Sequence, residues 1–167
     1  MQEDESITVA RRVHSKLIYN YLYFFLRHED DASDALAETF RRALRGRKTF
    51  RGECSERAWL MKIASNVAKR SKQRRCRDGS LSLDAMNATA ISEIVDTFNV
   101  EESVLNAYEA QRFLQMLPPR QREAVWMRVG LKMTDEEVAI VLAVPPGTVS
   151  SWVWRSMERL RRESQRK

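Results

Sequence analysis

Apolar residues recur every three or four positions through most of this chain, a spacing that predicts amphipathic helices rather than strands. From Ser6 to Arg27, Val9, Val13, Leu17 and Leu22 keep to one face, and Ile18, Tyr21 and Phe25 widen it. The run His28-Glu-Asp-Asp31 breaks the pattern. A second helix is expected from Ala32 to Arg45, with Leu36, Phe40 and Leu44 facing inward. Gly46 and Gly52 bracket a short polar loop, Arg47 to Glu53, that contains Phe50. Ser55 suits the N-cap of a third helix ending near Arg75, where Trp59, Ile63 and Val67 form one stripe and Leu60 and Ala64 its neighbour. Three such helices can bury a shared core.

The pattern lapses from Asp78 to Asn99, which reads as irregular. It resumes near Glu101 with Val104, Leu105, Tyr108, Phe113 and Leu117 inward, until Pro118-Pro119 stops the helix. A short helix follows from Arg120 to Val129. Thr134-Asp-Glu-Glu137 has the form of a capping box opening a helix to Ala143, with Val138, Ala139 and Leu142 inward. Val144-Pro-Pro-Gly147 is a turn, and the last helix runs from Gly147 to Glu163 on Val149, Val153, Met157 and Leu160. Two helices joined by four residues, the first carrying a small Ala139 at the crossing, form either a helix-turn-helix or a helical hairpin in a core. As a helix-turn-helix, the second helix would enter the major groove leading with Thr148, Ser150, Ser151 and Trp154, and Arg155, Arg159, Arg161 and Arg162 would follow. The expected fold is all-α: two small helical domains, residues 1–77 and 101–167, joined by a flexible acidic linker, 78–100.

Charge sharpens this division. The chain of 167 residues has a net charge of +6, but residues 1–77 carry +8, residues 78–111 carry −7 without a single Lys or Arg, and residues 112–167 carry +5. Two basic blocks can each contact phosphates. The acidic stretch either spaces or neutralises them, or stays a solvated tether. Composition excludes other classes: few glycines and prolines, and no apolar run near the roughly 18–20 residues that span a bilayer. The acidic N-terminus has no apolar core behind it, so a cytoplasmic protein without membrane insertion of its own is expected. Cys54 and Cys76 make neither a disulfide framework nor a zinc spacing, and His14 and His28 have no ligand companions, so no metal or cofactor is expected. No catalytic dyad, paired-carboxylate site or phosphate loop supports an enzyme.

These motifs together resemble a known family. Leu117-Pro-Pro-Arg-Gln-Arg-Glu123, Thr134-Asp-Glu-Glu-Val-Ala139 and Gly147-Thr-Val149 are similar to region 4 of bacterial sigma factors. Asp34-Ala-Leu-Ala-Glu-Thr-Phe40 resembles the region 2 helix that docks on the polymerase clamp. Phe50-Arg-Gly-Glu53, Ala58-Trp-Leu60 and Ile63-Ala-Ser-Asn66 resemble the promoter-melting segment that follows it. The order and short linker match the extracytoplasmic-function (ECF) group.

The resemblance implies a non-enzymatic subunit that binds core RNA polymerase and promoter DNA, commonly held in check by an anti-sigma factor. Asp34 and Glu38, with Arg41, would then face the polymerase, unless these charges only solvate their helix. The loop Thr49–Ser55 would capture an unstacked base of the −10 element through Phe50, Arg51 and Asn66, although Phe50 can equally be packed beneath the loop. Lys62, Lys69 and Arg70 would hold the strand's phosphates, and Trp59 is read as core. The helix from Gly147 would read the −35 element through Thr148, Ser150, Ser151, Trp154 and Arg155, with Arg159 on phosphate and Trp152 packing. Here the chain departs from the family: Ser150 and Trp152 stand where basic residues are common, and Ala143 where a glycine often ends the preceding helix. The acidic segment would thread the polymerase channel. The competing reading is a free-standing helix-turn-helix regulator that binds duplex DNA unaided.

Overall fold

The computed structural model describes residues 2–78 and 107–164, all of whose regular elements are helical. The chain divides into two compact units, Met1–Ala85 and Met86–Lys167. The acidic segment and the expectations for Val104 and Leu105 lie outside the described residues.

The first unit holds α1 (Gln2–Leu26), α2 (Glu29–Gly46) and α3 (Glu56–Arg77), each packed on the other two. The face of α1 differs from the expected one. Ile7, Ala10, Ile18, Tyr21 and Leu22 are buried, whereas Val9 and Val13 are exposed. At 100° per residue, Ile7, Ala10, His14 and Ile18 line up with Tyr21 and Leu22, and Val9 lies nearly opposite. The short Ala10 had concealed the true stripe.

The chain between α1 and α2 breaks for only two residues. Arg27 takes a left-handed φ of 57° and donates its N–H to Tyr23 O at 2.8 Å, and His28 is extended. Glu29, Asp30 and Asp31 then form the first turn of α2, where acidic side chains complement the helix dipole, so they begin the helix instead of breaking it. The inward side of α2 is mostly small: Ala32, Ala35, Thr39, Phe40 and Ala43 are buried, Leu36 is half-buried and Leu44 is exposed. Thr39 Oγ1 satisfies itself by donating to Ala35 O at 2.7 Å. Small residues let α2 approach both neighbours closely, which a Leu36–Leu44 face would prevent. Asp31 and Arg75 pair across α2 and α3, and the Lys72 ammonium lies 5.4 Å from the Phe25 ring. Ser55 caps α3 as expected, its hydroxyl accepting from Ala58 N at 3.1 Å.

The second unit begins with α4 (Ala107–Met116) and α5 (Pro119–Val125), joined by Leu117 and Pro118. The Arg122 guanidinium ties this corner, donating to Gln115 O at 2.9 Å and Leu117 O at 3.0 Å. Burial lowers its pKa from the ordinary arginine value. The helix expected to reach Val129 widens after Val125 into a π turn, Trp126–Gly130. Trp126 is the largest fully buried side chain among the described residues, and its ring lies over Gly130. A Cβ on Gly130 would stand 2.5 Å from two of the ring carbons. Gly130→Ala is therefore expected to lower the stability of this unit by about 1–3 kcal/mol, because the overpacking outweighs the better helix propensity of alanine. Urea unfolding would check it, and an unchanged midpoint would refute it.

The capping box forms as expected. Glu137 N donates to Thr134 Oγ1 at 3.2 Å, and Thr134 N donates to Glu137 Oε2 at 3.0 Å. It opens α6 (Asp135–Leu142), which ends at Ala143 in the left-handed region, φ 53° and ψ 53°. That conformation costs an L-residue roughly 1–2 kcal/mol and glycine almost nothing. Ala143→Gly should accordingly raise the stability of the unit by about 1 kcal/mol in the same unfolding assay. The final helix, α7 (Pro146–Ser164), turns by 107° from α6, within the range of a helix-turn-helix. Val149 and Ser156 are buried on its inner side, Val153 and Leu160 half-buried, and Ala139 on α6 is buried. No single helix among the described residues is long and apolar enough to cross a membrane.

Candidate nucleic-acid interfaces

In the first unit the side of α3 away from Leu60, Met61, Ala64 and Ala68 carries Trp59, Lys62, Asn66, Lys69 and Arg70 within about 100° of arc. Lys62, Asn66 and Arg70 are exposed and Lys69 is half-buried. Above the N-terminus of α3 lies the loop that follows a 3₁₀ turn, Arg47–Thr49. Phe50 stacks on Trp59 with ring centroids 4.7 Å apart and planes 26° from parallel. The Arg47 guanidinium sits 5.4 Å from the Phe50 ring and 6.0 Å from that of Trp59. Arg47 also reaches Glu56 at 3.1 Å, and His14 of α1 approaches the other oxygen of Glu56 at 3.7 Å.

The two readings of Phe50 thus meet in one arrangement. It is packed beneath the loop, against Trp59, yet remains half-buried at the edge of the polar face. Trp59 is half-buried too, a wall of this stack and only partly core. Arg51 is exposed, and Gly52 turns the loop with a φ of 75° that side chains rarely adopt. Periodicity had no means of finding Arg47 and Glu56. The one signal was a basic residue directly after Gly46, and its partners come from another helix.

On α2, Asp34, Glu38 and Arg41 share the face opposite the buried alanines. Asp34 is exposed. Glu38 accepts from Arg42 Nε at 2.6 Å and pairs with Arg41. The hydrogen bond from Arg42 is the main reason its carboxyl titrates below the ordinary range. This pairing is present above the usual glutamate pKa and is lost as pH falls through the lowered one. The three residues therefore form a small charge cluster in which Asp34 alone makes no ion pair among the described residues.

In the second unit α7 presents Thr148, Ser151, Trp154, Arg155, Arg159 and Arg162 on the side away from Val149 and Ser156. Ser150 falls at the edge. Its hydroxyl donates to Asp135, which also receives Arg128 Nε at 2.7 Å, so it ties the start of α7 to the cap of α6. Arg159 contacts Glu163 at 3.4 Å, and Glu158 is flanked by Arg161 at 3.5 Å and Arg162 at 3.6 Å. Trp152 is half-buried, in line with a packing role. No group of three His, Cys, Asp or Glu residues among the described residues could hold a metal ion.

Each unit therefore shows one helix buried on one side and basic on the other, the form expected of a surface that meets nucleic-acid phosphates. Comparison with known proteins agrees. Residues 11–78 match the family model for sigma-70 region 2, and residues 108–160 match that for sigma-70 region 4. The ECF RNA polymerase sigma-E factor of Escherichia coli K12 is 30% identical over 135 residues, 77% of this chain and 71% of that protein. Its counterpart in Haemophilus influenzae is 28% identical over 144 residues, 81% of this chain and 76% of that protein. Among solved structures, the sigma factor RpoE of Bartonella quintana, in complex with the anti-sigma factor NepR, superposes with a TM-score of 0.71 at 20% identity, over 95% of this chain and 96% of that one. CnrH, in complex with the cytosolic domain of CnrY, gives a TM-score of 0.68 at 18% identity, over 98% and 90%. Both structural likenesses speak for the fold.

Proposed function

Because the chain belongs to the ECF group of bacterial RNA polymerase sigma factors, we propose that it binds core RNA polymerase and directs promoter-specific initiation with its two basic helix faces. The observation that carries this reading is the pair of one-sided helices, α3 in the region 2 match and α7 in the region 4 match. Residues 1–77 act as the core-docking and −10 domain, residues 78–100 as a linker, and residues 101–167 as the −35 domain.

In the first domain Asp34, with Glu38 and Arg41 behind it, meets basic residues of the polymerase. Its exposed carboxylate is ready for an intermolecular pair, while Glu38 is preoriented by its own arginines. The −10 strand lies along α3: Lys62, Lys69 and Arg70 take its phosphates and Asn66 a base edge. Phe50 and Arg51 flank the extruded base, and the Arg47–Trp59 contacts hold Phe50 in place before DNA arrives. In the second domain α7 enters the major groove of the −35 duplex, with Thr148, Ser151, Trp154 and Arg155 toward bases and Arg159 toward phosphate. Ser150 contributes by fixing the start of the helix through Asp135. The protein itself performs no catalysis, works in the cytoplasm and is restrained by an anti-sigma factor; the Bartonella quintana sigma factor RpoE is seen in complex with such a protein, NepR.

Run-off transcription with purified bacterial core polymerase on a promoter library tests the reading. Transcripts with defined starts that appear only when the protein is added are the expected result. No transcripts, together with tight duplex binding by the protein alone, would replace it with the regulator.

A further inference from the structure

We propose that Trp154 is the specificity-determining residue of the −35 reader and selects thymine, through apolar contact with the 5-methyl group. The proposal rests on the placement of α7 in the −35 major groove argued above, and goes beyond it by naming the base and the chemistry. Trp154 is 65% exposed, more than any other exposed large apolar side chain among the described residues. It does nothing for the fold: the inner side of α7 is filled by Val149, Val153, Ser156 and Leu160.

The hydrogen-bonding groups around it are few. Ser150 is engaged by Asp135, Glu158 lies between Arg161 and Arg162, and Arg159 contacts Glu163. That leaves Thr148 and Ser151 hydroxyls, which accept any base, and Arg155, whose fork suits guanine. The helix face lacks Asn, Gln and Lys altogether. An indole ring offers a large apolar surface and one donor, and the thymine methyl is the only apolar feature displayed in the major groove. Trp154 and Arg155 point about 100° apart on either side of Ser151, so they address different base pairs. One helical turn covers about 5.4 Å, against about 3.4 Å per base step, which puts the ring across one or two neighbouring pairs. The element selected by this face should therefore carry a guanine for Arg155 beside one or two thymines, on either strand, for Trp154.

The test uses the holoenzyme made from the full chain. Run-off transcription from a library randomised over the −35 window gives the preferred element for the native protein and for Trp154→Ala. Thymines of the selected element are then replaced one at a time by deoxyuridine, which removes the methyl and nothing else. Native holoenzyme is expected to lose about three- to fivefold in initiation at each contacted methyl. Trp154→Ala is expected to transcribe the thymine and uracil templates equally, and to select an element relaxed at those positions but keeping the guanine. Trp154→Phe should retain a reduced thymine preference. Equal thymine-to-uracil ratios in the native holoenzyme, or an unchanged ratio in Trp154→Ala, would overturn the proposal while leaving the sigma reading intact. A native protein that yields no transcripts at all would overturn both.

Discussion

A Trp126→Ala chain is expected to lose the folding transition of its C-terminal unit while keeping that of the N-terminal one. Trp126 is 1% exposed, and Val125, Met127, Met133 and Val138 of the same unit are buried as well. The π turn and the bare Cα of Gly130 both serve to seat its ring. Truncating a buried tryptophan costs about 3–5 kcal/mol, and the void left against Gly130 cannot be closed by a residue that has no side chain. Whole domains are stable by only about 5–15 kcal/mol, and small ones stand at the low end because they bury less of their surface. The loss is thus most of what holds α4 to α7 together. The N-terminal core of Ile18, Tyr21, Leu22, Phe40, Leu60 and Met61 takes no part in it. Calorimetry of the full chain should show one of two transitions removed. A single transition that moves down as a whole would instead mean that the two units fold as one, and would refute the expectation. Trp126→Phe, which keeps an aromatic ring on Gly130, should cost clearly less.

Much of this architecture was legible in the sequence, and the exceptions share a cause. The Ser55 cap and the Thr134–Glu137 capping box are local devices, and each formed where it was read; the last helix begins at Pro146, one residue before the expected Gly147. What misled was apolar size taken as a sign of burial. Val9, Val13 and Leu44 looked inward and are exposed, while Ala10, Ala32, Ala35 and Ala43 form the actual contacts. Closely packed helices need small residues at their crossings, and alanine carries little weight in a periodicity count. The same limit applies to the candidate sites. Lys62, Asn66 and Arg70 follow from spacing on one helix, so their common face was foreseeable. The Arg47–Phe50–Trp59 stack and the Glu56 contacts join different elements, and no spacing encodes them. The π turn was equally hidden, because the sequence shows Gly130 but not the ring that lies over it.

Removing the charges of α3 should weaken single-strand binding steeply and change its salt dependence by a definite amount. In a Lys62→Gln/Lys69→Gln/Arg70→Gln chain the three substitutions fall on the side of α3 opposite Leu60, Met61 and Ala64, and glutamine keeps a helix propensity close to that of lysine and arginine. The fold and its unfolding midpoint should therefore hold. If each side chain neutralises one phosphate of a melted −10 strand, each contributes about 0.7 to the slope of log affinity against log salt. Losing three lowers the slope by about 2, which at 0.1 M salt corresponds to about a hundredfold in affinity if the extrapolated value at 1 M is unchanged. The measurement is holoenzyme affinity for a −10 non-template oligonucleotide across a salt series, with a −35 duplex as control. The oligonucleotide slope should fall and the duplex slope should not, because the duplex is met by Arg155 and Arg159 on α7. A fall in both would mean that the substitutions disturb the holoenzyme as a whole. An unchanged oligonucleotide slope would mean that α3 does not lie along the strand, and the outward lysines and arginine of that helix would then need another partner.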